Sequence, residues 1–123
     1  MIIHKLQPNV IVPERQTEWS ACFDVHAHLR GPVIAEDRTP NFKRVTIIDR
    51  TNTKSEVMPE VTWDSDTPHT KITIPPNSRA LIPTGMIFDI EPEYSIRMHP
   101  RSGLAWKYGV TLINCEGVID ADY

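Results

Sequence analysis

Eleven prolines spread along the 123-residue chain constrain its fold more than any other feature of the sequence. Proline has no backbone N–H and its ring clashes with the preceding helical turn, so each proline interrupts a helix that would run through it. We therefore expect no long helix over most of the chain. The prolines are Pro8, Pro13, Pro32, Pro40, Pro59, Pro68, Pro75, Pro76, Pro83, Pro92 and Pro100.

Between the prolines lie short stretches that alternate polar and apolar residues or are rich in β-branched side chains. Such stretches, bounded by proline, glycine and other turn residues, are typical of strands. Many short strands with frequent turns predict an all-β sandwich, barrel or jelly roll. The candidate strands are 43–48, 70–74, 86–90, 94–98 and 110–114.

One segment carries helix signals instead. Ser102 can cap the start of a helix and Gly109 can stop it, which predicts one or two helical turns between the candidate strands 94–98 and 110–114. Backbone N–H groups at a helix start can bind an anion, and Arg101 just before it would add a bidentate phosphate donor. Many serine-capped helices bind nothing, so a purely structural helix is the alternative.

The length of the chain fits a single domain, 1–123. Its net charge of −3 argues against a general nucleic-acid coat. No apolar run is long enough for a transmembrane helix, and the first residues lack the pattern of a secretory signal. Two cysteines, Cys22 and Cys115, permit at most one disulfide. These features predict a reduced, cytoplasmic protein without membrane or nucleic-acid partners.

Two groups of residues could carry chemistry. Cys22, Asp24, His26 and His28 are spaced by two, so on a strand they would share one face and could hold a metal ion. A structural strand with histidines at its end is the alternative. Asp120, in the sequence Asp-Ala-Asp, could act as a general base close to the anion site. A turn containing two inert aspartates fits the same spacing.

At this point the sequence resembles a known family. The segments Pro100-Arg-Ser-Gly-Leu-Ala105, Gly109-Val-Thr-Leu-Ile-Asn114 and Gly117-Val-Ile-Asp-Ala-Asp-Tyr123 are similar to the second and third motifs of the trimeric dUTPases, in the same order. The segment 74–85 resembles the strand–turn–strand that precedes them, and Ala21-Cys-Phe-Asp-Val25 resembles the first motif. The resemblance is dense over 70–123 and loose over 1–29. Residues 31–69, rich in charged and turn residues, look like an insertion with no counterpart in the family.

The resemblance implies a distorted jelly roll or β-barrel of the dUTPase type with one short helix after Arg101. It also implies the hydrolysis of dUTP to dUMP and pyrophosphate, which keeps uracil nucleotides out of the DNA precursor pool and supplies dUMP. In the family, three chains form a homotrimer with shared active sites. The cofactor is Mg²⁺, held mainly by the three phosphates and by water, as is usual for this cation.

The same resemblance assigns roles to individual residues. Asp120 would position and deprotonate the water that attacks the α-phosphate in line. Asp24 would help to place Mg²⁺ indirectly. The triphosphate would be held by Arg101, Ser102 and Gly103. The nucleoside would be read by Asn114, by the backbone around Val118 and Ile119, and by Tyr123 against the deoxyribose.

The chain departs from the family pattern at its end. It stops at Tyr123, before the family's fourth motif and Gly-rich C-terminal arm, so we expect its last strands to be missing and the chain on its own to be a weak or inactive dUTPase. Cys22 also stands where the family usually has glycine, a change that we expect to alter a turn rather than the reaction.

Three alternatives stay open. A non-catalytic dUTPase-like binding module or a fragment would explain the missing motifs. A relative of the dCTP deaminases would share the fold, but that branch has serine and arginine where this chain has Gly103 and Trp106. Nucleic-acid binding through Arg97, His99, Arg101 and Lys107 is opposed by the acidic balance of the chain.

Overall fold

The computed structural model describes residues 1–33, 40–65 and 67–123 and confirms the all-β fold class. The described residues form short strands and one short helix. In chain order the elements are β1 (Ile2–Lys5), β2 (Arg30–Val33), β3 (Pro40–Phe42), β4 (Val45–Ile48), β5 (Lys54–Val57), β6 (Glu60–Asp64), β7 (Thr67–Lys71), β8 (Arg79–Leu81), β9 (Met86–Asp89), β10 (Ile96–Met98), α1 (Ser102–Tyr108) and β11 (Gly117–Ile119). Across these ranges no helix has the length and hydropathy needed to cross a membrane.

The chain forms two compact units. The N-terminal unit comprises Lys5–Ile87, and the C-terminal unit comprises Met1–His4 together with Phe88–Tyr123. All strand pairs with a defined register are antiparallel. In the N-terminal unit β4 lies between β5 and β8, while β2 pairs with β3 and β6 pairs with β7. In the C-terminal unit β10 pairs with β11.

The core of the N-terminal unit is built around β4. Val45 is fully buried and Ile47 is 4% exposed, and because strand side chains alternate, both point to the same face. They form a cluster with Leu29, against which partly buried apolar residues of neighbouring segments pack. These neighbours are Val57, Ile72, Ala80 and Ile82. The segment 31–69, which reads as a polar insertion, therefore supplies the most buried side chain of the described structure.

The close approach of the chain at Gly85 depends on the absence of a side chain. Gly85 has φ +72°, a left-handed conformation that favours glycine. A Cβ built there would lie 2.7 Å from Val10 Cγ2 and 2.9 Å from His28 Cδ2. The Gly85 carbonyl also accepts a hydrogen bond from the Leu6 N–H at 2.9 Å.

The helix begins and ends almost as expected, but its capping differs. Gly109 ends α1 in the left-handed conformation, with φ +66°, as predicted. The prediction that Ser102 caps the start is wrong, because Arg101 occupies the N-cap position and no side chain makes a capping hydrogen bond. Ser102 is instead the first residue of the helix.

The candidate strand 110–114 is also wrong. The N–H of Val110 donates to the carbonyl of Leu104 at 3.3 Å, and the N–H of Cys115 donates to the carbonyl of Leu112 at 3.1 Å. These bonds tie the start of the segment to the helix and its end into a turn, so the backbone is not extended for strand pairing. The next strand is β11, which begins three residues after Asn114.

Candidate active site

The pairing of β10 with β11 organises the C-terminal unit. Ile96 lies opposite Ile119, and Met98 lies opposite Gly117. Arg101 follows the Met98 end of this pair, whereas Asp120 follows the Ile119 end. The two residues are thus at opposite ends of a paired segment that is about 7 Å long.

The residues expected to hold phosphates lie together at the start of α1. Arg101, Ser102 and Gly103 are consecutive and exposed. The first backbone hydrogen bond of the helix runs from the Ala105 N–H to the Arg101 carbonyl at 3.0 Å, so the three preceding amides have no partner within the helix. A Cβ at Gly103 would meet no atom within 4 Å, so the backbone there is open to approach.

Asn114 lies in the tight turn that precedes β11. Cys115 has φ +62°, and the N–H of Glu116 donates to the Asn114 carbonyl at 2.6 Å. The Asn114 side-chain Nδ2 lies 3.6 Å from where a Cβ on Gly117 would be, and Met98 Cβ lies 3.3 Å from the same point. Glycine at 117 thus leaves room for the Asn114 amide beside Met98.

Asp120 lies in an open cleft at the end of β11. The cleft has a volume of about 390 Å³ and is lined by Ile90, Pro92, Tyr94, Asp120, Ala121 and Asp122. The N–H of Tyr123 donates to the Asp120 carbonyl at 3.2 Å, which closes a turn after the strand. The Tyr123 side chain is 98% exposed. None of Arg101, Ser102 and Gly103 lines this cleft.

Val118 and Ile119 point to opposite faces of β11, because strand side chains alternate. Val118 is opposite Arg97 and exposed, whereas Ile119 is half-buried opposite Ile96. Both residues come shortly before Asp120 in the chain, but their side chains cannot lie on the same face of the strand.

Sequence reasoning missed two features of this region. Tyr94 lines the cleft with Asp120, although the sequence indicated only that it belongs to the candidate strand 94–98. Glu116 accepts a hydrogen bond from Arg97 Nη1 at 2.9 Å, and His99 Nε2 lies 3.7 Å from the same oxygen. The opposite charges at 97 and 116 were a usable signal, but only the strand register brings them together.

Asp24 belongs to the N-terminal unit, where it forms an isolated antiparallel bridge with Glu14. Residues 22–28 otherwise form no strand, so the shared face expected for Cys22, Asp24, His26 and His28 is absent. Among the described residues, no three histidine, cysteine, aspartate or glutamate side chains are grouped to hold a metal ion. Cys22 and Cys115 are both free and exposed.

His28 is a buried residue rather than an exposed ligand. It is 7% exposed, and its Nε2 lies 3.3 Å from Gln7 Oε1. Burial lowers the pKa of His28 below its usual value, and the positive charge of Lys43 lowers it further. A hydrogen bond with the Arg30 backbone offsets part of this effect.

The chain has clear relatives over the segment that forms this site. Residues 67–123 match the family model described as dUTPase. The deoxyuridine 5'-triphosphate nucleotidohydrolase of Rhizobium etli is 48% identical over 60 residues, which cover 49% of this chain and 36% of the relative. The proteins of the same name from Finegoldia magna and Aquifex aeolicus are 56% and 54% identical over 52 residues, covering 42% of this chain and 36% and 35% of those proteins. The chain spans about a third of the length of these curated relatives. No solved structure matches it.

Proposed function

We propose that the chain, which matches the dUTPase family model over residues 67–123, takes part in the hydrolysis of dUTP to dUMP and pyrophosphate. The observation that carries the proposal is the arrangement of the matched segment: Arg101 and the start of α1 follow one end of a strand pair, and Asp120 lies in an open cleft at the other end. The net charge of −3 argues against nucleic acid as the substrate.

Asp120 is the proposed general base. Its exposed carboxylate is accessible to water in the cleft, and a carboxylate can accept the proton that the water loses as its oxygen attacks the α-phosphorus. The bond to the leaving pyrophosphate breaks as the new P–O bond forms. Arg101, with Ser102 and Gly103, would bind the phosphate oxygens through its guanidinium and the neighbouring amides. Because α1 has only seven residues, the guanidinium and the family motif carry this assignment, not the helix dipole.

The nucleoside would lie beside β11. Asn114 would pair with the uracil edge through its side-chain amide, together with backbone groups of Val118 and Ile119. An amide offers both a donor and an acceptor, so one of its two orientations matches uracil, and backbone groups that fix this orientation would leave cytosine mispaired. Tyr123, joined to Asp120 by a single turn, would pack against the deoxyribose.

We propose Mg²⁺ as the cofactor, with the substrate supplying most of its ligands. This cation prefers oxygen donors, retains several waters and needs only one or two carboxylates. The only carboxylate that the family pattern assigns to it here is Asp24. When bound, Mg²⁺ would neutralise phosphate charge, and the chain's own residues would orient the phosphates and the water.

A homotrimer with shared sites is proposed for the assembly. The separation of Arg101 and Asp120 to opposite ends of one strand pair supports it, since a second copy could bring one group to the other. Exposed apolar side chains of the C-terminal unit, including Trp106 at 90% exposure, support an additional contact surface. A cytoplasmic location stays a prediction from the sequence.

The experiment that tests the proposal measures pyrophosphate release from dUTP by the full chain with Mg²⁺, with protein in excess of substrate. Asp120→Asn should lower the rate by about 10²- to 10⁴-fold, because it removes the proton acceptor but keeps the shape. Asp64→Asn, an exposed aspartate at the end of β6, should leave the rate unchanged. An Asp120→Asn chain as fast as the wild type would refute the role of Asp120.

Two further arms separate the alternatives. Ammonia release from dCTP would favour the deaminase branch, and dUTP binding without turnover by the wild type would favour a binding module. Mixing the Asp120→Asn and Arg101→Ala chains, each inactive alone, should restore part of the activity if sites are shared between copies. No recovery in a mixture that forms mixed oligomers would refute shared sites.

A further inference from the structure

We propose that Glu116 is a positioning residue that fixes the turn bearing Asn114 through its ion pair with Arg97. The inference rests on the proposed function, in which Asn114 recognises the uracil edge. The Glu116 Oε1 atom is 2.9 Å from Arg97 Nη1 and 3.7 Å from His99 Nε2. One carboxylate oxygen thus contacts two basic side chains of the segment that leads into α1.

The strand register explains why these groups meet. Arg97 lies opposite Val118, and continuing the same register beyond β11 brings His99 opposite Glu116. Arg97, His99, Glu116 and Val118 therefore share one face of the pair. The side-chain amide of Asn114 lies against the other face, beside Gly117 and Met98. The turn crosses from one face to the other between Asn114 and Glu116.

This turn needs an anchor because its backbone is unfavourable. Cys115 has φ +62° although it carries a side chain, and such a conformation persists only where the surroundings impose it. The turn has two backbone bonds, from Cys115 N–H to Leu112 and from Glu116 N–H to Asn114. Both are local to the turn, so neither ties it to β10. Strand pairing begins at Gly117, opposite Met98. The Glu116 carboxylate adds a side-chain link from the turn itself to Arg97 of β10, and in this proposal that link restricts the positions that the Asn114 amide can take.

The proposal predicts a selective effect on base recognition. In the full chain, Glu116→Gln should weaken the binding of dUMP by about two- to fivefold, the range expected for an exposed ion pair. The binding of inorganic pyrophosphate should not change, since Arg101 and its neighbours are untouched. Glu93→Gln, at an exposed glutamate of the same unit, is the matched control and should bind both ligands like the wild type.

An exchange of the charges at positions 116 and 97 gives the decisive test. Glu116→Arg and Arg97→Glu, each alone, should weaken dUMP binding, and the double variant should restore it. Equal loss of dUMP and pyrophosphate binding in Glu116→Gln, or no rescue in the double variant, would overturn the positioning role.

Nuclear magnetic resonance separates this test from that of the proposed function. In Glu116→Gln without ligand, the Cys115 amide should exchange with solvent faster and the Asn114 side-chain amide signals should shift. Wild-type chain that binds dUMP no better than dCMP would refute the proposed function, and unchanged Cys115 exchange in the variant would still refute the anchor.

Discussion

The buried core cluster and most of the candidate site residues lie in different units of the chain. The N-terminal unit contains Val45, Ile47 and Leu29 in a buried cluster. The C-terminal unit buries one large apolar residue, Ile90, and leaves most of its other apolar side chains exposed. Yet it is the C-terminal unit that carries Arg101, Asn114 and Asp120. Among the described residues, the best-packed part and the candidate active site are therefore distinct.

This difference shows what the family motifs specify. They place polar groups at the ends of a three-residue strand pair, and a pair of two short strands is marginally stable by itself. The exposed apolar residues beside it, such as Ile113 and Val118, are available for a further contact. The dense family resemblance covers the candidate site, while the three buried residues of the core cluster, Leu29, Val45 and Ile47, lie outside it.

The largest expected effect is on the free energy of unfolding. It is tested by the same isoleucine-to-alanine substitution in each unit. Ile47→Ala should lower the free energy of unfolding by about 2–5 kcal/mol, because it leaves a cavity in the packed cluster. Ile113→Ala, at a site 74% exposed, should change it by less than about 0.5 kcal/mol. Urea denaturation followed by circular dichroism measures both. Equal losses in the free energy of unfolding would show that the two units do not differ in packing at these positions.

A second comparison uses two left-handed glycines. Gly85→Ala should cost about 2–4 kcal/mol, combining the backbone penalty with overlap against Val10 and His28. Gly109→Ala has nearly the same φ but open space around its Cβ, so it should cost only about 1–2 kcal/mol. Thermal unfolding of the two variants measures the difference. If Gly109→Ala proved the more damaging, the C-terminal unit would be packed more tightly than described.

The smallest effect is a pH dependence that arises from His28 in the N-terminal unit. The pKa of His28 is lower in the folded chain than in the unfolded chain, so the unfolded state takes up a proton first as pH falls. Stability should be full above pH 6.5, the unfolded value, and decline as pH falls towards the folded pKa. Urea midpoints between pH 7.5 and 5 measure this decline.

Two histidine variants assign the pH effect. His28→Gln should flatten the decline, because glutamine does not titrate. His26→Gln, at an exposed histidine two residues away, should retain it. A decline that persists in His28→Gln would place the titrating group elsewhere in the chain.

Parts of the fold were predictable because their causes are local. Gly109 ends α1 because a left-handed residue without a Cβ carries little strain. The candidate strand 86–90 is confirmed by β9, whereas 70–74 is shifted, since β7 ends at Lys71. The segment 110–114 has the composition of a strand, but hydrogen bonds to α1 and within the turn at Cys115 use its backbone groups. Composition alone does not show that these backbone groups are already hydrogen-bonded elsewhere.

By itself the sequence determined the all-β class, the short helix α1 and the order of the segments that we propose to bind phosphate and to supply the carboxylate. Proline spacing, side-chain alternation and motif order are properties of neighbouring residues, so they can be read along the chain. Only the tertiary structure decided that Val45 is buried, that Glu116 meets Arg97, and that Arg101 and Asp120 lie at opposite ends of one strand pair. Burial and register depend on which distant segments pair, because side-chain alternation sets the faces of a strand but not its partner.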